Sequence, residues 1–109
     1  MIQLRADDRV LLLAIPSQTE LVNISRILMN GVVVALGCRD DVQATRESMA
    51  DFENVMLLDA APDQISWRAA YFTKIIVPSH LESLLPRIAE ELTRVLAPEG
   101  QIVRTAAYA

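Results

Sequence analysis

Arg9-Val10-Leu11-Leu12-Leu13-Ala14, followed by Ile15-Pro16-Ser17-Gln18-Thr19-Glu20, sets the reading of the whole chain. The first six residues are a short, continuous apolar run between Asp7-Asp8 and Pro16. A run of that length without alternation suits a strand buried on both faces, as in a parallel sheet. Ser17 with Glu20 three residues on is a capping-box pattern that opens a helix. Leu21, Ile24 and Leu28 then recur at helical spacing, with Val22 and Met29 widening the stripe. Asn30-Gly31 is a helix stop.

The same alternation continues outward. Val32 to Leu36 is a second β run, and Gly37 to Asp41 a turn in which Asp40 or Asp41 caps the next helix. Val42, Thr45, Met49 and Phe52 mark that helix's inner face. Val55 to Leu58 is a third strand, broken at Asp59-Ala60-Ala61-Pro62-Asp63. Gln64 to Ala70 suggests a short helical turn, and Tyr71 to Val77 a fourth strand stopped by Pro78. Leu81, Leu84, Leu85, Ile88, Leu92, Val95 and Leu96 form the clearest helical stripe. Pro86 confines that helix's start to its own first turn, with Ser83 as N-cap and a separate turn at Ser79 to Glu82. Ala97-Pro98-Glu99-Gly100 ends it, and Gln101 to Thr105 is a fifth strand. Short joins between alternating strands and helices imply right-handed crossovers on a parallel sheet. The expected fold is a three-layer α/β Rossmann-like sandwich, five parallel strands in the order 3-2-1-4-5, with any site at the carboxyl ends near strands one and four.

The 109 residues fit one domain spanning 1–109. Hydrophobic residues make up 52% of the chain, and mean hydropathy is +0.28. No apolar run reaches the ~20 residues that span a bilayer, so the surplus points to a buried sheet, a subunit interface or both. A net charge of −4 with interspersed signs argues against nucleic acid and against an anionic membrane surface. Cys38 is the only cysteine, so an intrachain disulfide is excluded. Acids precede the first apolar run where a signal peptide would carry bases, and a cytoplasmic protein is expected.

Several stretches resemble class I S-adenosylmethionine-dependent methyltransferases across about residues 4–104. Leu4-Arg5-Ala6-Asp7-Asp8-Arg9-Val10-Leu11 resembles the entry into that family's first strand. Asp59-Ala60 is similar to its acid-alanine step beside the adenine, and Tyr71-Phe72-Thr73-Lys74-Ile75-Ile76-Val77 to its fourth strand. Arg94-Val95-Leu96-Ala97-Pro98-Glu99-Gly100-Gln101-Ile102-Val103 matches best, in a stretch that is structural in the family. The cofactor loop departs from the pattern. The family's G-x-G-x-G glycines fall at Ala14, Pro16 and Gln18, and its preceding acid at Leu12. The ribose-holding acid of strand two falls near Leu36 or Gly37, and the strand-four aspartate at Thr73. A glycine loop lets backbone amides approach a ligand; proline lacks the N–H and fixes φ. The sequence also shows neither the helix usually preceding strand one nor the usual sixth and seventh strands.

The resemblance therefore implies a methyltransferase-like domain whose cofactor site has decayed, with a binding or structural role as a homodimer or in a larger assembly and no cofactor expected. Two alternatives stay open: an active S-adenosylmethionine-dependent methyltransferase with an altered loop, and a small-molecule sensor using the same crevice. Cofactor-site candidates are Asp59, Ala60, Trp67 and Ser17; Asp59 could instead cap its turn, and Trp67 could plug the crevice or join an interface. His80, the only histidine, is the catalytic candidate, although without a positioned partner it reads first as a surface turn residue. Cys38, beside Arg39 and a helix N-terminus, is either a reactive thiol or a small buried side chain. No second Cys or His stands at ligand spacing, so no metal site is expected. Edge pairing beside strand five, with Tyr108 as anchor, is the expected dimer contact.

Overall fold

The computed structural model describes residues 3–105. Among these residues five strands and three α-helices follow in chain order: β1 Arg9–Leu12, α1 Gln18–Ile27, β2 Val32–Gly37, α2 Arg39–Ser48, β3 Val55–Asp59, β4 Phe72–Pro78, α3 Leu85–Val95 and β5 Leu96–Thr105. A 3-10 helix over Ser79–Leu84 joins β4 to α3. Every strand pairing is parallel and the order is β3-β2-β1-β4-β5, as expected from the alternation.

Alternate side chains of the buried strands feed two cores, because successive Cβ atoms point to opposite faces. On one face Val10, Leu12, Val33, Ala35 and Ile76 meet Leu21, Ile24 and Leu28 of the first crossover and Val42 and Met49 of the second. On the other, Leu11, Val34, Leu36, Ile75 and Val77 meet Ile88, Leu92 and Val95 of α3 together with Ile65. The three inner strands β2, β1 and β4 are thus apolar on each face, which is why β1 reads as an unbroken run.

Element ends differ from expectation where tertiary contacts compete. β1 leaves the ladder at Leu12 rather than Ala14, though the Leu13 amide still reaches the Ile76 carbonyl at 3.3 Å. The α2 cap is Cys38, in extended backbone, and Asp40 and Asp41 lie in the first turn, where their charge suits the helix dipole. Ser83 is not the α3 cap: it sits inside the 3-10 helix. That helix runs into α3 through Leu84 in helical backbone, with Pro86 in the first turn. Leu96 is extended and pairs with Phe72, so β5 starts there, with Ala97 to Gly100 bulged opposite Thr73.

Gln64 to Ala70 forms no helical turn. Its backbone groups are held from outside. Glu91 accepts from the Ile65 amide at 2.6 Å, and Arg94 donates to the carbonyls of Ile65 and Trp67 at 2.7 and 2.9 Å. Ala70, at φ 56°, aims its amide at the Arg94 carbonyl, and Tyr71 does the same to Val95. These two bonds satisfy carbonyls that the end of α3 would otherwise leave unpaired.

At this amino-terminal end of the sheet, Asp8 is buried and accepts from the Arg5 amide at 2.7 Å and the Thr73 hydroxyl at 2.8 Å. Lys74 stands 3.9 Å away. Thr73 also accepts from the Arg9 amide at 2.9 Å, so the residue at the family's aspartate position bridges two strands. Burial alone would raise the Asp8 pKa, but the two hydrogen bonds and the charges of Lys74 and Arg5 hold it below its ordinary value.

Candidate functional site

The chain reverses its direction of crossover between β1 and β4, and ligands of open α/β sheets sit outside the carboxyl ends at such a switch point. A crevice of about 720 Å³ lies there. Four loops build it: Leu13 to Ile15 after β1, Gly37 and Cys38 after β2, Asp59 to Pro62 at the end of β3, and His80, Leu81 and Leu84 after β4.

The fold thus brings Asp59, Ala60, His80 and Cys38 together, from positions spread over the sequence. Asp59 is exposed, and its carboxylate makes no hydrogen bond or ion pair among the described residues, so it does not cap its own turn. His80 is exposed in the first turn of the 3-10 helix. Cys38 is exposed too, and its thiol donates to Asp41 at 3.1 Å. Ser17 and Trp67 do not line the crevice. The Ser17 hydroxyl accepts from the Glu20 amide at 3.2 Å, as the capping pattern predicts. Trp67 packs against Tyr71 and Phe72, with ring centroids 5.5 and 5.7 Å away, below the α3 face of the sheet. Its indole nitrogen is buried with no hydrogen-bond partner among the described residues.

Ile15 decides what the crevice can hold. A Cβ placed on Gly37 would come within 2.6 Å of the Ile15 Cδ1, so this side chain lies directly on the end of β2. That is where the resemblance puts the acid for the ribose hydroxyls. The loop from Leu13 to Ser17 contains no glycine, and Ala70 alone among the described non-glycine residues has left-handed backbone. Side chains and a proline therefore stand where a pyrophosphate or methionine moiety would need bare amides. Asp59 stands where the resemblance puts the acid beside the adenine, and Ile15 lies where it puts the acid for the ribose hydroxyls. The residues do not fit that cofactor in the family's manner.

Ile15 was visible as a β-branched residue in a loop expected to carry glycine, but its contact with Gly37 depends on how the β1 loop crosses β2. Leu81 and Leu84 read as core from their helical spacing; the 3-10 geometry brings both to the crevice wall. Among the described residues no group of three or more His, Cys, Asp or Glu side chains could hold a metal ion. No helix of the described residues is long and apolar enough to cross a membrane.

No protein-family model matches the sequence, and no curated protein matches it. Solved structures do. An S-adenosylmethionine-dependent methyltransferase from Aquifex aeolicus superposes with a TM-score of 0.79 at 20% identity, over 92% of this chain and 56% of that one. Fibrillarin from Aeropyrum pernix, solved with natively bound S-adenosyl-L-methionine, gives 0.76 at 16% identity, over 95% and 48%. The YcgJ protein from Bacillus subtilis gives 0.75 at 18% identity, over 92% and 44%. The chain spans about half the length of these proteins. At such identities the likeness is one of fold: the Rossmann-like α/β fold of S-adenosylmethionine-dependent methyltransferases.

Proposed function

We propose that this chain is a methyltransferase-fold binding domain that has given up S-adenosylmethionine and acts, without catalysis, as a homodimer or as part of a larger assembly. The observation that carries this reading is Ile15 lying on Gly37, which fills the ribose position with hydrocarbon. Fold alone does not confer methyl transfer; the site must supply it. Here the ribose acid and the amide cradle are both absent, and the lone histidine has no positioned partner to make it a base.

Calorimetry and thermal shift with S-adenosylmethionine and S-adenosylhomocysteine test the proposal. A ligand bound only by the folded state stabilises by RT ln(1 + [L]/Kd), about 2.7 kcal/mol at a hundredfold excess over Kd. The expected result is no heat and no shift at millimolar ligand. Low-micromolar affinity overturns the reading and favours the active enzyme, for which the retained Asp59 and the open crevice argue.

A further inference from the structure

The crevice wall has a chemical bias that the loss of one cofactor does not explain. Leu13, Ala14, Ile15, Leu36, Leu81 and Leu84 give it an apolar floor and side. Its charged groups are two carboxylates, Asp41 and Asp59; no lysine or arginine lines it. The Asp59 carboxylate has no partner among the described residues, and that of Asp41 accepts only from the Cys38 thiol. The N-terminus of α2 lies at the same mouth and would favour an anion, but Asp40 and Asp41 stand in its first turn and offset it. An anionic ligand such as a phosphate therefore meets two carboxylates, with the His80 imidazole as the one basic side chain of the wall to oppose them. A cationic one gains two charge partners while its hydrocarbon covers exposed apolar surface.

Resting on the reading of the chain as a binding domain, we propose that the crevice takes a small amphipathic amine: an ammonium group at Asp59 and Asp41, with an apolar or aromatic body against Leu13, Ile15, Leu81 and Leu84. The volume of about 720 Å³ lies in the range of small-molecule sites. Asp59 gives direction, because it sits at the end of β3 across the crevice from Leu81 and Leu84 of the β4 loop.

Three probes with one body and different heads test this: 4-phenylbutylamine, 4-phenylbutanol and 4-phenylbutyrate, titrated at low salt and followed by amide chemical shifts. The amine is expected to perturb residues 13–15, 59–62 and 80–84 and to bind about fivefold tighter than the alcohol, the scale of partly exposed charge pairs. The carboxylate should bind weakest. Asp59→Asn should reduce the amine's preference and leave the alcohol's affinity unchanged; the exposed, unpartnered side chain makes this variant structurally benign. The preference should also shrink in 0.5 M salt. Failure of all three probes to perturb the crevice, equal or tighter carboxylate binding, or a preference retained in Asp59→Asn overturns the proposal. S-adenosylmethionine binding would instead overturn the functional reading, so the two failures are told apart.

Discussion

Gly31 shows how one residue can carry a role other than the one its type suggests. It follows α1 as a helix stop would, yet no described glycine has positive φ. A Cβ at Gly31 would collide with the backbone carbonyl oxygen of Asp8, so the position is glycine because two chain segments touch. Gly31→Ala is expected to cost about 3 kcal/mol, measured by urea unfolding, because backbone on backbone cannot relax as a side chain would. Asp8 itself links pH to stability. Its folded pKa lies below the ordinary value of 3.8, so its contribution is full above about pH 4 and is lost as pH falls through the folded pKa. Asp8→Asn should lower stability at pH 7 by about 2 kcal/mol. It should also flatten the loss of stability of the native protein below pH 4, which denaturant titrations from pH 2 to 7 will show.

Between β3 and β4 the chain uses an irregular segment fastened to α3 where it could have carried a helix. Glu91 and Arg94 bind each other at 2.7 Å and together hold Ile65 and Trp67. The Arg94 hydrogen bond and the Ile65 amide keep the Glu91 pKa below its ordinary value. Glu91→Gln keeps the shape and removes the charge. It is expected to speed amide exchange at residues 61–70 and to shift Trp67 emission to the red, while α1 and α2 stay protected. Unchanged exchange in that segment would show that Ile65 burial, and not the pair, holds it.

At the scale of the molecule the two sheet edges differ. The Asn54 carbonyl bonds to Val33 in β2, so by alternation the Leu57 carbonyl faces away from the sheet. Arg46 caps it at 3.0 Å. Edge β3 is thus guarded by a charged side chain, a known way of blocking strand addition. No described side chain bonds to the backbone of β5, where Ile102 is 40% exposed. The homodimer proposed above is expected to pair along β5. Ile102→Lys should give the monomer mass by light scattering at high micromolar concentration, while Met56→Lys on the guarded edge should leave the dimer intact. A native monomer at that concentration, or a dimer lost through Met56→Lys, would refute this arrangement. The anchor expected at Tyr108 lies outside the described residues.

The sequence by itself determined the alternation of strands and helices, their parallel order and the missing glycines. The alternation follows from local periodicity, the order from the right-handedness of short crossovers, and the loop's limits from what proline and side chains forbid to a backbone. It also placed Asp59 and His80 at the carboxyl ends, since the strand order fixes where a switch point opens. Only the tertiary structure decided that Ile15 lies on Gly37 and that Leu81 and Leu84 turn from core spacing to crevice wall. It alone decided that Trp67 packs with Tyr71 and Phe72 away from the crevice, and that Arg46 guards one edge. Each of these depends on a contact between residues far apart in sequence, whose geometry is set by how the loops cross the sheet and not by the pattern of any one segment.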